Sequence, residues 1–540
     1  MLVVGGGITG AGIARDSAMR GLRTALVDRG DLASGTSSAS SKLVHGGLRY
    51  LEHRALGLVF ESVSERHRLR QLAPHLVRPI PFVFPVFNKK PRPLWQVNTG
   101  LWIYDALAMF RSYRLHRTLG AKKTAALEPA MSTEGLDGCV QYFDCMTDDA
   151  RLTLESAKSA HHAGASVLPQ CRVHSFRTHR SQVCGAEIED LVTGDVHPIS
   201  ARVVVNATGP WTDRTLGLRG DRHRVLRPTK GVHLVVRRDR LNVNHAVCLQ
   251  SPSDRRVVFA IPWGERVVLG TTDTFFDGDY DQVACEQPDV DYLLGLANRY
   301  FPDADLVPDD VVGAYAGLRP LVGPDDPDVG ASQISREHMI RVDPDGLITV
   351  AGGKLTTYRS MAAEVLGVVA KRLKAEGVHV GGCQTGSVLL PGGAGIRFKA
   401  GELVSTGPGG ADAAAEVREH LGGDVTEHLQ QTYGGGWLEV AALAAHDTDL
   451  ARRIVPDLPY IWAEVDHAVA DEMVMTLRDF MRRRTQLEIR DLRQSWSVAP
   501  ALADRIGAKL GWSHTETDAQ VDSWKARAAL SMAWRGDVED

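Results

Sequence analysis

The first thirty residues predict a strand, a glycine-rich loop, a helix and a second strand. The apolar run LVV is followed by GGGITG, and AGIARDSAMR has the spacing of a helix that ends at Gly21. The run TALVD then predicts a strand that ends at Asp28. Because strands usually have ~5–6 residues, we expect either that the first strand is short or that the chain begins upstream of Met1.

Two later apolar runs also break at glycine. RVVVNATGPW predicts a buried strand that ends near Gly209, and GLITVAGGKLTTYRSMAAEV predicts a strand, a break at Gly352-Gly353 and a helix. Between them, residues 231–340 are rich in strand patterns, with IPWGERVVLG predicted as a hairpin that turns at Gly264.

The other segments are less regular. The proline-rich stretch 74–95 predicts irregular chain that crosses between domains. LPGGAG at 390–395 predicts a linker, and EVREHLGG, LEVAALAAH and DEMVMTLRDFMRRR beyond it have helical spacing. The last of these contains Arg482, Arg483 and Arg484, which we predict to form a solvated face, with contact to anionic lipid as the alternative.

Length, composition and charge argue against several classes of protein. A chain of 540 residues is too long for one core, so two or more domains are expected. The formal net charge of -4 argues against a nucleic-acid binder. Seven cysteines without a CxxC pair indicate reduced thiols rather than a disulfide framework. There is no apolar run of bilayer length, no signal-peptide pattern at the start and no metal-ligand spacing, and we predict no metal.

The first loop predicts a dinucleotide site. Gly5, Gly7 and Gly10 fit GxGxxG in the strand–loop–helix–strand order that the motif needs. The helix start offers N–H groups and a positive dipole end to a pyrophosphate, and Asp28 would accept a hydrogen bond from a ribose hydroxyl. The alternative is a glycine-rich turn needed only for packing. The motif alone does not separate FAD from NAD.

The second glycine break favours a flavin. An NAD site needs one glycine loop at a helix start, whereas a flavin has use for two, one at the pyrophosphate and one at the ring. A helix start after Gly352-Gly353 would stabilise the negative charge near N1 and O2 of a reduced ring. The alternative is a tight strand-to-helix turn.

With these motifs the chain resembles the FAD-dependent glycerol-3-phosphate dehydrogenases of the respiratory type. The matching stretches cover about residues 1–390 and include GGGITGAGIARDSAMRG, DLASGTSSASSKLVHGGLRYLE, NATGPW, KGVHLVV, FAIPWGERVVLGTTDT, GAYAGLRPL, ISREH and AGGKLTTYR. The resemblance implies oxidation of sn-glycerol 3-phosphate to dihydroxyacetone phosphate, with electrons passing from FAD to a respiratory quinone at the membrane surface.

The resemblance also implies an architecture. The expected class is α/β, with a glutathione-reductase-like FAD-binding domain, an inserted β-rich substrate domain and a C-terminal helical domain. We assign the FAD domain to 1–80, 135–230 and 340–380, the substrate cap to 81–134 and 231–339, and the helical domain to 391–540. The expected location is cytoplasmic, peripheral to the inner face of the cytoplasmic membrane, with a homodimer as a possible assembly.

The serine-rich stretch 37–53 is expected beside the flavin and the substrate. Its hydroxyls and N–H groups would face FAD, and its glycines would let the chain pass close to the flat ring; local turn capping is the alternative for the serines. The residues expected at the cofactor are Gly5, Gly7, Gly10, Asp28, Thr36, Ser37, Ser41, Gly46, Gly47, Gly209, Gly353, Lys354, Leu355 and Thr356.

Oxidation of a phosphorylated alcohol needs a base, a hydride acceptor and cations for the phosphate. We expect His233 to be the base, with an ordinary core histidine as the alternative, and Arg319 to hold the phosphate, with a carboxylate-paired arginine as the alternative. Lys354 is a third catalytic candidate, or a solvated lysine. The expected substrate-binding residues are Arg49, Tyr50, Thr271, Asp273, Arg319 and Arg336.

Some of these candidates have local alternatives. Arg49 could be a surface ion-pair partner, and Thr271 and Asp273 could cap a turn. Asp148 and Asp149 are expected to cap the helix that begins near Ala150.

Three other functions stay open on the sequence. An oxidase would use the same substrate but pass electrons to oxygen. An amine or hydroxy-acid oxidoreductase would keep the dinucleotide motif without needing several arginines for phosphate. A flavoprotein kept as an interaction module would bind FAD and react with no substrate.

Overall fold

The computed structural model describes residues 1–51, 55–88, 92–221, 224–252, 254, 256–323, 337–406 and 410–535, without the Arg49 side chain. The strands are β1 (Leu2–Val4), β2 (Ala25–Val27), β3 (Leu43–Val44), β4 (Arg78–Phe87), β5 (Arg117–Gly120), β6 (Leu136–Met146), β7 (Ser166–Leu168), β8 (Cys171–His179), β9 (Gln182–Asp190), β10 (Val196–Ser200), β11 (Val204–Asn206), β12 (Thr229–Arg237), β13 (Ala246–Gln250), β14 (Val257–Trp263), β15 (Arg266–Gly270), β16 (Thr274–Phe275), β17 (Val311–Arg319), β18 (His338–Val342), β19 (Ile348–Gly352), β20 (Ile396–Lys399) and β21 (Glu402–Ser405).

The described residues also form α-helices. They are α1 (Ile8–Met19), α2 (Leu56–Leu72), α3 (Leu94–Leu107), α4 (Ala121–Leu127), α5 (Asp149–His162), α6 (Thr212–Gly217), α7 (Gln287–Tyr300), α8 (Tyr358–Ala375), α9 (Gly410–Leu421), α10 (Gly423–Tyr433), α11 (Trp437–His446), α12 (Ala463–Asp471), α13 (Leu487–Arg490), α14 (Leu492–Leu510) and α15 (His514–Ala529).

A six-stranded sheet forms the centre of the cofactor domain, in the order β18-β19-β11-β1-β2-β7. All neighbours pair in parallel except β18 with β19. Residues of α1, α5 and α8 share a core with one face, and residues of β9 share a core with the other. Both faces are therefore covered, which explains why the strands are short continuous apolar runs.

The C-terminal end of α1 agrees with the sequence prediction, whereas the helix starts three residues before the predicted Ala11. The helix begins directly after Gly7 and ends at Met19. Gly21 has φ 82°, and the N–H groups of Gly21 and Leu22 donate to the carbonyls of Ala18 and Ser17. A left-handed glycine with these bonds is a common way to end a helix.

The substrate cap is built on one large sheet. Its strand order is β16-β12-β15-β14-β13-β4-β6-β3, with β17 paired to β12 and β5 paired to β6. The predicted hairpin turns at Gly264, between β14 and β15. Strands β3 and β6 belong to this sheet, so its hydrogen bonding continues outside the ranges assigned to the cap from sequence.

The prediction of irregular chain for the proline-rich stretch was wrong for its central part, which forms strand β4. This strand pairs with β6 along its length. Pro79, Pro81 and Pro85 have the same parity, so their missing N–H groups lie along a single edge of the strand. The other edge keeps its donors and pairs with β6.

The C-terminal helical domain packs on the large sheet. Val232 and Leu234 of β12 lie in one core cluster with Phe480 and Leu487. The prediction of one helix through 471–484 was wrong: α12 ends at Asp471, and a π-helix spans Asp479–Arg484. Within the described parts of the chain, no helix is both long and apolar enough to cross a membrane.

The prediction of a solvated face for Arg482, Arg483 and Arg484 was also wrong. All three are buried, with at most 6% of their surface exposed. Burial of this kind requires compensating acceptors and carboxylates, which lie in other parts of the chain.

Candidate active site

Two cavities lie on opposite sides of the serine-rich segment. The first, of about 810 Å³, is lined by the glycine loop after β1, the start of α1 and residues 34–40. The second, of about 490 Å³, is lined by Ser41 and by parts of the large sheet. Ser40 and Ser41 face different cavities, as do Leu318 and Arg319. The two cavities therefore meet where the cofactor domain joins the cap.

The glycine loop closes tightly around the first cavity. A Cβ on Gly10 would lie 1.8 Å from the carbonyl oxygen of Gly5, and a Cβ on Gly5 would lie 2.6 Å from that of Ala207. Gly5 and Gly7 line the cavity. The N–H of Ile8 donates to Ser37 Oγ at 2.9 Å, so the serine segment is held directly at the start of α1.

Asp28 lines the same cavity and holds the loop. Its carboxylate accepts the N–H of Gly6 at 2.5 Å and the N–H of Gly30 at 2.8 Å. Burial raises the pKa of Asp28 above its ordinary value, although these two bonds act to lower it. The ribose contact expected from the sequence stays a prediction.

Asp149 holds the serine segment through hydrogen bonds and an ion pair. Its carboxylate accepts from Ser40 Oγ at 2.7 Å and from Lys42 Nζ at 2.7 Å. The prediction of two capping aspartates is confirmed for Asp148, which accepts from the N–H of Arg151. Asp149 accepts the N–H of Ala150 as well, and its role in holding the segment had no local sequence signal.

The other predicted cofactor residues line the first cavity, the second cavity or neither. Thr36, Gly209, Gly353, Lys354 and Leu355 line the first cavity, and Gly47 lines the second. Gly46 and Thr356 line neither and act through packing and hydrogen bonds. A Cβ on Gly46 would lie 2.2 Å from the hydroxyl of Tyr104. Thr356 Oγ1 accepts the N–H of His45 and donates to its carbonyl, both at 3.2 Å.

Lys354 lies at the second glycine break. Gly352 and Gly353 have φ 75° and 86°, a conformation that favours glycine. Lys354 Nζ lies 3.9 Å from the centroid of the Tyr50 ring and 3.4 Å from Ser62 Oγ. The ammonium group therefore approaches a ring that lines the second cavity, while Lys354 itself lines the first.

His233 reaches the second cavity through Ser41. It lies in β12 opposite Gly270 of β15, and a Cβ on Gly270 would lie 2.1 Å from the imidazole. The imidazole is 2% exposed and stacks on Tyr315 at 4.7 Å. Its Nε2 lies 2.8 Å from Ser41 Oγ, and Nδ1 has no hydrogen-bond partner among the described residues.

The environment of His233 favours the neutral imidazole. Burial lowers its pKa well below the ordinary value, and the positive charges of Arg319, Lys42 and Arg482 lower it further. A neutral imidazole can accept a proton at neutral pH, which a general base must do.

Arg319 has the carboxylate partner that the sequence left as an alternative. Its Nη1 donates to Asp273 Oδ1 at 2.9 Å, and its Nη2 donates to Thr271 Oγ1 at 2.9 Å and to the Thr272 carbonyl at 3.1 Å. Arg319, Asp273 and Thr271 also line the second cavity. The arginine is therefore both paired and at the cavity wall.

The sequence analysis missed several polar residues of the second cavity, which are His45, Arg92, Gln250 and Arg256. His45 lies within the serine-rich stretch 37–53 that was expected at the site, whereas the neighbours of Arg92, Gln250 and Arg256 gave no motif. Tyr50 lines this cavity as predicted. Arg336 and the side chain of Arg49 lie outside the described residues.

The residues of the first cavity suit FAD. The volume is in the ~300–1,000 Å³ range of cofactor and ligand pockets. The glycines hold the backbone against the cavity, Gly7 at the start of α1 has no side chain to fill it, and the second glycine break also lines it. The fold and this site define a dinucleotide-dependent α/β oxidoreductase with a second cavity beside the dinucleotide site.

Comparisons with known proteins identify the family. A family model described as FAD dependent oxidoreductase matches residues 1–359, and one described as the C-terminal domain of alpha-glycerophosphate oxidase matches residues 383–517. The chain is 37% identical over 550 residues to glycerol-3-phosphate dehydrogenase 2 of Mycobacterium bovis, covering 100% of this chain and 90% of that protein. It is 35% identical to the aerobic glycerol-3-phosphate dehydrogenase of Staphylococcus haemolyticus, covering 100% and 95%. The chain belongs to the FAD-dependent glycerol-3-phosphate dehydrogenase family, and its cofactor is FAD.

Solved structures agree with this assignment. The glycerol-3-phosphate dehydrogenase of Bacillus halodurans, solved in complex with FAD, has a TM-score of 0.79 and 33% identity, covering 100% of this chain and 96% of that one. The L-alpha-glycerophosphate oxidase of Mycoplasma pneumoniae, also solved with FAD, has a TM-score of 0.55 and 17% identity, covering 72% of this chain and 98% of that one. At that identity the second likeness shows the fold alone.

Proposed function

We propose that the protein oxidises sn-glycerol 3-phosphate to dihydroxyacetone phosphate and passes the electrons to a respiratory quinone. The observation that carries this proposal is the position of Arg319 and the Ser41–His233 pair on one cavity beside the FAD site. A cation for the phosphate and a base for the hydroxyl are then available to one small substrate. Bound FAD supplies the hydride acceptor, its N5 atom.

The arginines of the second cavity suit a phosphate. Arg92, Arg256 and Arg319 are among its lining residues, and Asp273 is already engaged with Arg319. Arginine binds phosphate oxygens with a planar fork of donors, which also fixes the orientation of the substrate. We assign Tyr50 and Thr271, on the same walls, to contacts with the rest of the substrate.

The base is His233, acting through Ser41. Ser41 lines the cavity and His233 does not, so the hydroxyl proton of the substrate would pass to Ser41 Oγ as the Ser41 proton passes to His233 Nε2. The transfer leaves Ser41 neutral and His233 protonated. Tyr315 contacts His233 and the residue before Ser41, because its ring stacks on His233 and its hydroxyl donates to the Ser40 carbonyl at 3.1 Å.

A lipid-soluble acceptor suits the apolar residues of the same cavity. Leu56, Phe84, Trp95 and Ile103 are among those that line it. Helix α3 continues the apolar surface to the outside, where Trp95 is 70% exposed and Trp102 50% exposed. Exposed aromatic residues on a helix surface are typical of attachment to the interface of a bilayer.

Charge favours the same surface. Residues 92–123 contain one acidic residue, Asp105, and six basic ones, which are Arg92, Arg111, Arg114, Arg117, Lys122 and Lys123. The whole chain has a formal net charge of -4, so this basic excess is local. Basic residues beside apolar ones attract anionic lipid. We therefore propose peripheral attachment to the inner face of the cytoplasmic membrane through α3 and the segment after it.

Anaerobic mixing with substrate tests the function. Glycerol 3-phosphate should bleach the flavin absorbance, whereas glycerol without a phosphate should not. Re-oxidation should then be fast with a short-chain quinone and slow with oxygen. If glycerol 3-phosphate does not bleach the flavin of the folded holoenzyme, the proposal is wrong.

The acceptor has one further candidate. The family model that matches residues 383–517 carries the description of a glycerophosphate oxidase domain. Stoichiometric peroxide formation in the absence of quinone, as fast as turnover with quinone, would assign the protein to the oxidases instead.

A further inference from the structure

The C-terminal domain forms a wall of the FAD cavity. Residues of the π-helix region and of α15 line this cavity. They include Arg478, Arg482, Arg483, Glu488, Trp524 and Arg527. The glycine loop and Ser37 line the same cavity from the cofactor domain. The site is therefore enclosed by two domains that are far apart in sequence.

Arg482 extends from this wall to the serine segment. Its Nη2 donates to the carbonyl of Ser38 at 3.3 Å, and its guanidinium lies 5.3 Å from the centroid of the Tyr315 ring. Its carboxylate neighbour, Glu488, is 3.8 Å away and already accepts from Arg478 at 3.1 Å and from Trp524 Nε1 at 3.1 Å. Burial lowers the pKa of the Arg482 guanidinium, so an anion in the cavity would stabilise its charge.

A buried ion-pair cluster fixes the wall in position. Arg484 donates to Asp31 through Nη1 at 2.7 Å and through Nη2 at 3.0 Å, and Arg483 also donates to Asp31. Burial alone would raise the pKa of Asp31, but the Arg484 and Arg483 guanidinium groups hold it below the ordinary value. Asp31 lies three residues after Asp28, so the cluster joins the C-terminal domain to the loop that supports Gly6.

We propose that the C-terminal domain supplies the cationic half of the FAD site, with Arg482 as a binding residue for the diphosphate of FAD. The diphosphate is the part of FAD that carries negative charge at neutral pH, and the start of α1 faces it from the other side. Arg483 and Arg484 are positioning residues that act through Asp31. This proposal rests on the FAD cofactor and is independent of the substrate and the acceptor.

Release of FAD from the full-length holoenzyme tests the proposal. Arg482→Met should release FAD about 10–100-fold faster than the unmodified protein, as expected for the loss of a charge-assisted contact. Arg505→Met is the matched control, because Arg505 belongs to the same domain, pairs with Asp466 and does not line the cavity. Its rate of FAD release should not change. Equal release rates for the folded Arg482→Met variant and the control would overturn the proposal.

Binding of partial ligands separates a diphosphate contact from a general structural role. After removal of the flavin from the full-length chain, Arg482→Met should bind ADP about 10–100-fold more weakly but riboflavin with unchanged affinity. An equal loss for both ligands would mean that Arg482 only supports the fold. Arg482→Gln is the second variant, and its affinities for ADP and for riboflavin are likewise compared with those of the unmodified chain.

A third measurement needs no substitution. In hydrogen exchange on the unmodified chain, removal of FAD should speed exchange in 476–490 and 523–531. Unchanged exchange in both segments would contradict a cofactor contact with this domain, whatever the behaviour of the variants.

Discussion

His233 Nε2 lies 2.8 Å from Ser41 Oγ, and this contact joins strand β12 of the cap to the serine segment of the cofactor domain. It places a buried neutral base one hydroxyl away from the second cavity, at the point where this cavity meets the FAD site. The relationship makes both residues testable, separately and together.

His233→Ala should slow substrate-dependent flavin bleaching by about 10²–10⁴-fold, the usual contribution of general acid–base catalysis. The measurement is the anaerobic bleaching rate at saturating glycerol 3-phosphate. Higher pH should partly restore the rate, because hydroxide can replace the base. His179→Ala, at an exposed position of β8, is the control and should bleach normally. A near-normal rate for His233→Ala would remove His233 from the mechanism and leave Lys354 as the next candidate.

Ser41→Ala should also slow bleaching, by at least about 10-fold, if the proton passes through the serine hydroxyl. The double variant Ser41→Ala/His233→Ala should then be no slower than His233→Ala, because the two residues act in one path. Additive losses would indicate separate roles, and a normal rate for Ser41→Ala would indicate direct contact between substrate and His233.

The pH at which activity falls on the acid side should lie below the ordinary pKa of histidine. Burial and three neighbouring cations lower the pKa of His233 well below 6.5, so the imidazole stays unprotonated and competent as pH falls from 8 to 6.5. The measurement is kcat/KM as a function of pH for the unmodified protein, divided by kcat/KM for His233→Gln. Titration of the substrate phosphate affects both proteins and cancels in this ratio. The ratio should be flat over this range and fall only at lower pH. A midpoint at or above 6.5 would contradict the assignment.

Arg319→Met should reduce kcat/KM, but the variant also leaves Asp273 without its arginine. Truncating one partner of a buried pair is destabilising by itself. The double variant Arg319→Met/Asp273→Asn removes both charges and resolves the two roles. A phosphate contact predicts that kcat/KM stays about 10–100-fold low in the double variant with FAD still bound. Recovery of kcat/KM in the double variant would mean that Arg319 only compensates Asp273.

Trp102→Ser/Phe110→Ser should weaken binding to vesicles that contain anionic lipid, because it removes two exposed aromatic residues from the proposed lipid surface. Sedimentation with vesicles should show at least about a 10-fold loss of bound protein, and flavin bleaching by glycerol 3-phosphate should stay unchanged. Val192→Ser/Val196→Ser removes two exposed apolar residues from the turn after β9 and the start of β10, neither of which lines the FAD cavity, and serves as the control. Equal binding of all three proteins, or binding of the unmodified protein that resists high salt, would contradict the proposed surface.

The sequence by itself determined the parts of the site that depend on local backbone chemistry. The GxGxxG loop, the end of α1 at Gly21 and the glycine break at 352–353 each follow from conformations or close approaches that only glycine allows. The two glycine breaks together favoured a flavin, and the longer stretches that follow one another along residues 1–390 indicated the family.

Only the tertiary structure decided which charged side chains meet. Asp31 and Arg484 are separated by 453 residues, and Ser41 and His233 by 192, so no periodicity or local spacing relates them. The run of arginines at 482–484 has the composition of a solvated surface. Its charges are compensated by Asp31 and the Ser38 carbonyl of the cofactor domain and by Asp479 and the Glu472 carbonyl of its own domain, which offsets the free-energy cost of burial. Pairings between distant segments depend on how whole sheets and helices pack, and a one-dimensional pattern does not contain that information.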